Sequence, residues 1–135
     1  MRPARPAALL ALALAACDMA PQTAGPAQPI EAIGDTPWKL ASIDGEPVAP
    51  VEIMLNISGG FISGTGPCNT INANYVGEVP EFRIETLITT KLSCDRLGLE
   101  NRVIEALMQA DRAEIAGSRL TIRGDASPVL IFNPA

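Results

Sequence analysis

Along most of the chain after residue 35, hydrophobic and polar residues alternate, and this period of two is typical of half-buried β-strands. In the longest run, residues 51–57, one face carries the side chains of Val51, Ile53, Leu55 and Ile57. Turn signals separate the runs at Gly59-Gly60, Gly117-Ser118 and Gly124-Asp125. Shorter strands are predicted around residues 61–63, 71–76, 82–84, 113–115, 119–123 and 129–132.

One segment follows a helical period instead. Leu99, Val103 and Leu107 recur every four residues, with Ala110 continuing the stripe, and they predict an α-helix near residues 97–111. Glu100 falls off this stripe, with the other polar residues of the segment. The pattern therefore predicts a mainly β (α+β) domain of antiparallel strands with one helix packed against the sheet.

The first 16 residues have the composition of a secretory signal peptide. Arg2 and Arg5 form a basic start, and residues 7–16 are an unbroken run of alanine and leucine. A helix needs about 20 apolar residues to cross a bilayer, so this run is too short for a membrane span. We therefore predict that residues 1–16 are removed as a signal peptide.

The junction Leu14-Ala15-Ala16-Cys17 resembles the bacterial lipobox, whose cysteine receives a lipid and becomes the first residue of the mature protein. The resemblance implies lipidation of Cys17 and attachment to the membrane, since several acyl chains make a stable anchor. Residues 17–34 carry three prolines among small and polar residues, and we predict that they form a flexible tether. The folded domain would then comprise residues 35–135.

Composition narrows the chemistry that the mature chain can perform. The sequence has no histidine, which excludes Ser-His-Asp and Cys-His catalysis and most zinc sites. The net charge is −5, and loss of Arg2 and Arg5 leaves eight basic side chains against 15 acidic ones, a net charge of −7. An acidic chain lacks the basic surface that nucleic acid requires, so we predict no nucleic-acid partner. We also predict no metal, no cofactor and no enzymatic activity.

The chain has three cysteines, of which Cys17 is assigned to the lipid. In an oxidising envelope compartment, the other two, Cys68 and Cys94, are expected to form a structural disulfide. The bond would close a loop of about 26 residues and stabilise the domain by roughly 3.5 kcal/mol. Two buried free thiols are the alternative, because spacing along the chain does not establish that the two residues are close.

Five short motifs occur in an order that resembles the META domain (HslJ-like) family. They are Trp38-Lys39-Leu40, a loop from Gly64 to Pro67-Cys68-Asn69, the following Tyr75, Thr90-Lys91-Leu92-Ser93-Cys94, and a final segment around Gly117. Pro67 and Leu92-Ser93 depart from the family's pattern of G-C-N and T-x-M-A-C. The resemblance covers about residues 35–135 and marks as family-motif residues Trp38, Gly64, Asn69, Tyr75, Thr90 and Gly117.

The resemblance implies an antiparallel, partly closed β-barrel or roll with a helix packed on it. It also implies no established enzymatic activity, a link to the bacterial envelope and its stress response, and frequent carriage as a lipoprotein. From the residues themselves, we expect Trp38 to anchor the core and Asn69 to hydrogen-bond the backbone of its own loop.

We therefore expect a lipid-anchored protein of the cell envelope, facing the periplasm, whose domain binds or scaffolds an envelope protein. The alternative is a carrier that holds a small hydrophobic ligand inside the β-roll. The sequence does not decide between the inner and the outer membrane. Asp18 after Cys17 resembles the signal that keeps lipoproteins in the inner membrane, whereas the family includes outer-membrane members. The oligomeric state is also open.

Overall fold

The computed structural model describes residues 3–4, 32–34 and 36–135, so Cys17 and nearly all of the predicted signal peptide and tether lie outside them. The described chain forms nine strands and one helix. The helix, α1, spans Leu97–Gln109. The strands are Trp38–Ile43 (β1), Glu46–Pro47 (β2), Met54–Ser58 (β3), Phe61–Thr65 (β4), Thr70–Val76 (β5), Arg83–Thr89 (β6), Arg112–Ala116 (β7), Arg119–Arg123 (β8) and Leu130–Pro134 (β9).

The strands form one antiparallel sheet in the order β6-β5-β4-β3-β1-β9-β8-β7, with the short β2 paired to β1. The sheet curls until its two outer strands meet at one end. There the backbone N–H of Phe82 donates to the carbonyl of Asp111 (3.1 Å), and that of Ala113 donates to the carbonyl of Pro80 (2.9 Å). The predicted antiparallel, partly closed β-barrel is therefore confirmed.

Helix α1 packs against β6 and β8, across the seam that the curled sheet leaves open. The predicted helix is confirmed, and it ends at Gln109, two residues earlier than expected. Its buried face carries Val103, Ala106 and Leu107, together with Glu100. The prediction that Glu100 lies off the buried stripe is wrong, because its spacing from Val103 and Leu107 places it on the same helical face.

Side chains fill the inside of the curled sheet. The largest fully buried ones are Trp38, Phe82 and Phe132, and leucines and isoleucines from alternate strand positions pack around them. The indole N–H of Trp38 donates a hydrogen bond of 2.7 Å to the carbonyl of Ile33, which satisfies its only polar atom. Trp38 is thus the core anchor that the sequence predicts.

Two β-bulges interrupt the period of two that reveals strands in a sequence. In β1 the register shifts between Leu40 and Ser42, so the buried Leu40 and Ile43 are three residues apart. A second shift lies between Asn74 and Tyr75 in β5. A bulge adds one residue to one strand and thereby changes the phase of the alternation. The sequence accordingly predicted no strand at β1.

The sequence also placed some strand ends wrongly. Strand β3 begins at Met54 rather than at residue 51, and β6 continues to Thr89, well beyond the predicted residues 82–84. The short β2 was missed. In the second half of β6, the partly buried Leu87 points inward, between the exposed Thr86 and Ile88. The alternation of hydrophobic and polar residues that predicts a strand is therefore weak there.

Candidate functional site

Four residues singled out in the sequence lie together where the loop after β4 meets the segment before α1. Cys68 and Asn69 come from the loop, and Thr90 and Cys94 come from the segment that follows β6. Glu100, in the first turn of α1, completes the group. We call these five residues the Asn69 cluster.

A disulfide joins Cys68 to Cys94, with their Cα atoms 5.6 Å apart. This confirms the predicted pairing over the alternative of two free thiols. The bond ties the loop between β4 and β5 to the segment that leads into α1, and so fixes the start of the helix relative to the sheet.

The buried side chain of Asn69 makes hydrogen bonds through both ends of its amide. Its Oδ1 accepts from the backbone N–H of Leu92 (2.7 Å) and from the hydroxyl of Thr90 (2.8 Å). Its Nδ2 donates to the carbonyl of Leu92 (3.0 Å) and to Oε1 of Glu100 (2.5 Å). The amide therefore pairs with the backbone of Leu92 as a neighbouring strand would, and this pairing fixes its orientation.

The carboxylate of Glu100 accepts three hydrogen bonds although the residue is only 1% exposed. Its Oε2 accepts from the backbone N–H groups of Cys68 and Asn69, both at 2.9 Å, and its Oε1 accepts from the Asn69 amide. Gly66 leaves the necessary space, since a Cβ at that position would collide with the carboxylate. The burial of this acidic group is thus compensated by protein donors.

The cluster corrects the expectation about Asn69. Its side chain bonds the backbone of Leu92, 23 residues along the chain, rather than the backbone of its own loop. Glu100 was missed as a partner. The signal that could have found it is its spacing of three and seven residues from the buried Val103 and Leu107, which puts an acidic group in phase with a hydrophobic stripe.

The arrangement of the Asn69 cluster favours a structural role. Both amide atoms of Asn69, both carboxylate oxygens of Glu100 and the hydroxyl of Thr90 already have protein partners. The two sulfur atoms are joined to each other. The cluster therefore holds three segments of the chain together and presents no unpaired nucleophile or base to a substrate.

The remaining family-motif residues have separate positions. Gly64 in β4 lies so close to β3 that a Cβ would collide with the carbonyl of Met54 and the side chain of Leu55. The ring of Tyr75 packs against that of Phe82, with centroids 5.2 Å apart. Gly117 has a φ of 60° in the turn between β7 and β8, a conformation that favours glycine.

The outer side of strands β3 to β6 carries a second group of polar residues. The strand register aligns them in three rows: Met54, Thr65 and Thr70; then Asn56, Ser63, Asn72 and Ile88; then Ser58, Phe61, Asn74 and Thr86. No acidic or basic side chain occurs in these rows of the described sheet. We call this surface the neutral face.

The amides of the neutral face have no protein partner in the described part of the chain. Asn56, Asn72 and Asn74 make no side-chain hydrogen bond to any residue that the structure describes. Asn56 and Asn74 are exposed and Asn72 is half-buried. Each amide therefore presents both a donor and an acceptor to solvent.

Two shallow depressions cross the neutral face and share Asn72. The first has a volume of about 330 Å³ and lies between Asn56, Ser63 and Thr70. The second, of about 70 Å³, is flanked by Phe61 and Ile88, which are 50% and 64% exposed. The face thus joins hydrogen-bonding groups to two exposed apolar side chains.

A further depression of about 380 Å³ lies beside β1, between Lys39, Ala41, Pro50, Val51 and Pro134. Lys39 pairs with Glu52 at 2.6 Å, and this hydrogen bond lowers the pKa of the Glu52 carboxyl. The pair is exposed, so it contributes little to stability. Most of the lining is aliphatic, with few polar groups to orient a ligand.

Within the described residues, no group of three or more histidine, cysteine, aspartate or glutamate side chains has the arrangement of a metal site. In the same part of the chain, no helix has both the length and the apolar character needed to cross a membrane.

A model of the META domain family matches residues 31–135. Two solved structures, both determined by NMR, have similar folds. One is 21% identical, with a TM-score of 0.62 over 75% of this chain and 90% of that protein. The other, from Burkholderia xenovorans, is 24% identical, with a TM-score of 0.61 over 76% and 83% of the two chains. No curated protein matches the chain.

Proposed function

Since the chain belongs to the META domain family, we propose that it is a lipid-anchored protein of the cell envelope whose domain acts by binding, without catalysis. The proposed binding surface is the neutral face. The proposed setting is the envelope stress response, which the family resemblance implies. The observation that carries the binding role is the set of unpaired amides at Asn56, Asn72 and Asn74 on neighbouring strands of the sheet.

The sequence before the domain supports the anchor. Arg2 and Arg5, the apolar residues 7–16 and the junction ending in Cys17 have the order of a lipoprotein signal. Acylation of Cys17 would hold the mature chain at a membrane surface, and residues 18–34 would link the lipid to the domain.

The contrast between buried and exposed polar groups supports binding over catalysis. Catalysis by a carboxylate requires a group that can reach the substrate, either to exchange a proton or to act as a nucleophile. Glu100 is enclosed and bonded to the loop at Cys68 and Asn69. The exposed polar groups of the neutral face are amides and hydroxyls, which bind ligands but are weak acids and bases.

The core argues against the alternative of a carrier that holds a ligand inside the roll. Trp38, Phe82 and Phe132 are at most 2% exposed and occupy the interior together with the strand isoleucines and leucines. A ligand inside the sheet would have to displace these side chains, and a close-packed interior resists such a change. Binding at the surface needs no such change.

The anchor is tested by substituting Cys17→Ala and following lipid labelling and membrane fractionation. We expect the variant to incorporate no labelled palmitate and to leave the membrane fraction. A double variant, Cys68→Ala with Cys94→Ala, is the matched control and should still be labelled. Unchanged labelling and fractionation of the Cys17 variant would contradict the proposal.

The binding role is tested by placing a photoreactive amino acid at position 72 and irradiating living cells. We expect cross-linked adducts with envelope macromolecules at this position. The matched control is position 121 in β8, whose side chain also points outward from the sheet. The absence of adducts at position 72, or equal adducts at both positions, would remove the neutral face as the binding surface.

A further inference from the structure

The neutral face differs from the rest of the molecule in its charge. The sequence contains 25 charged side chains, yet none lies in the three rows of this described surface. A charged ligand placed here would lose hydration, and the charged side chains that border the rows, Lys39 and Glu85, already have partners in Glu52 and Arg83. The face is therefore suited to an uncharged ligand with many hydrogen-bonding groups.

The hydrogen-bond donors and acceptors of the face restrict the class of ligand further. Asn56 and Asn72 share a row with Ser63, and Asn74 lies in the next row with Ser58. Amides and hydroxyls both donate and accept, so they match a ligand whose groups also do both. Sugar hydroxyl and acetamido groups have this property, whereas lipid chains lack it.

Exposed apolar groups lie beside these amides. Phe61 is aligned with Asn74, and Ile88 is aligned with Asn72. The electron-rich face of an aromatic ring attracts the partly positive C–H groups of a sugar ring. A ring half exposed beside a row of amides is thus placed to stack against a sugar while the amides bond its hydroxyls.

The central part of the face cannot recognise a peptide by strand addition. Strands β3, β4 and β5 each have a neighbour on both sides, so their backbone groups are already paired. Strand addition requires a free sheet edge. A ligand on this face must therefore be bound through side chains.

The dimensions suit a short stretch of a chain-like ligand. Strands are about 4.8 Å apart and rise about 3.4 Å per residue, so four strands and three rows span roughly 14 Å in each direction. The two depressions that share Asn72 run across this area. Because the strands fix the backbone, only the side chains of the face have to be ordered on binding.

We propose that the neutral face binds an uncharged glycan, through the amides of Asn56, Asn72 and Asn74 and the ring of Phe61. The inference rests on the proposed function, because it names the class of ligand for the same surface. It places the lipid-anchored domain against a polysaccharide of the envelope rather than against an ionic partner.

The test uses the purified, lipidated full chain in a zwitterionic detergent that carries no sugar headgroup. The probes are chito-oligosaccharides, which are uncharged, and the same oligomers after deacetylation, which are cationic. Binding is measured by isothermal titration calorimetry. We expect the uncharged oligomers to bind and Asn72→Ala and Phe61→Ala each to weaken binding about tenfold, the equivalent of about 1.4 kcal/mol.

Thr121→Ala in β8 is the matched control and should bind as the parent protein does. Thermal unfolding is recorded for every variant, and unchanged transitions for Asn72→Ala exclude loss of the fold as the cause. Binding of the deacetylated oligomers should not respond to Asn72→Ala, because attraction to the acidic chain would not depend on this amide.

Three results would overturn the glycan inference: no binding of the uncharged oligomers, binding that both face variants leave unchanged, or an equal loss for the deacetylated oligomers. These results are distinguishable from failure of the proposed function. Protein adducts at position 72 in cells, without glycan binding in solution, would retain the binding surface and replace the ligand with a protein partner.

Discussion

Asn69 and Asn72 are three residues apart, yet the sheet gives them opposite environments. Asn69 is 6% exposed and bonds Leu92, Thr90 and Glu100. Asn72 projects from the outer side of β5 and bonds no side chain or backbone group in the described chain through its amide. The same functional group therefore stabilises the fold in one place and is available for binding in the other.

The difference lies in whether the polar atoms already have partners. A buried amide whose partners are removed leaves several groups without hydrogen bonds, each at a cost of about 1–3 kcal/mol. An exposed amide exchanges its partners with water at little cost. The residue type and its place in a motif therefore do not show whether an asparagine stabilises the fold or is available for binding. Its burial and its hydrogen-bond partners do show this.

The largest effect is expected for Asn69→Asp. The new carboxylate oxygen would face the carbonyl of Leu92 and Oε1 of Glu100, where an amide N–H donates now. An uncompensated buried charge costs about 3–5 kcal/mol, and we expect a loss of this size in the free energy of unfolding by denaturant. Asn72→Asp is the matched control and should stay within about 0.5 kcal/mol. Equal losses in the two variants would contradict the comparison.

The disulfide of the Asn69 cluster should have the next largest effect. Its two cysteines are 26 residues apart, and a cross-link of this length is worth roughly 3.5 kcal/mol in the chain-entropy model. We expect Cys68→Ala with Cys94→Ala to lower the free energy of unfolding by about that amount. Addition of a reductant should lower the stability of the parent protein and leave the double variant unchanged. A parent protein that does not respond to reductant while its thiols become alkylatable would refute this role.

Gly64 tests how closely the strands beneath the neutral face are packed. A Cβ here would collide with Met54 and Leu55 of β3, so Gly64→Ala should destabilise the domain by about 1–3 kcal/mol. Gly98→Ala is the contrasting control, because no other part of the described chain lies within 4 Å of the position that its Cβ would take, and alanine favours a helix by about 1 kcal/mol. Thermal unfolding should therefore shift in opposite directions in the two variants, and a shift in the same direction would count against the close approach of β3 and β4.

The smallest effect on stability is expected at the exposed pair of Lys39 and Glu52. This pair tests how much a polar contact in solvent contributes to the stability of the fold. The hydrogen bond from Lys39, aided by its charge, lowers the pKa of Glu52 in the folded protein. The contribution of the pair is therefore present above the pKa of the unfolded chain and is lost as pH falls through the folded pKa. Lys39→Met should raise the pKa of Glu52 in an NMR titration, with no measurable change in stability at neutral pH. An unchanged titration would show that the contact does not persist in solution.

Local patterns in the sequence predicted much of the fold. The hairpins at Gly59-Gly60 and Gly117-Ser118, the helix and the buried Trp38 each follow from residues close together in the chain. The bulged strand β1 could not be predicted from its local sequence, because the shift of register depends on how β1 pairs with its partner β9. The Cys68–Cys94 bond was predicted from the compartment and the number of cysteines, not from local sequence.

The candidate sites were less predictable than the fold. The link between Asn69 and Glu100 joins residues 31 positions apart, and no local pattern specifies which donors will meet a buried carboxylate. The neutral face was not predicted at all. It depends on the relative register of four strands, which determines that Asn56, Asn72 and Ile88 share one row.

The place of β1 in the sheet bears on how the domain would withstand force. Strand β1 lies between β3 and β9, and the backbone N–H of the terminal Ala135 also bonds the carbonyl of Pro37 (2.9 Å). A pull through the proposed anchor would first load the buried Ile33, which is bonded to Trp38, and would then reach this strand. Because β1 is hydrogen-bonded on both sides, it could leave only by shearing two ladders at once. The first strand and the last are thus joined as a mechanical clamp at the point where the anchor would apply its load.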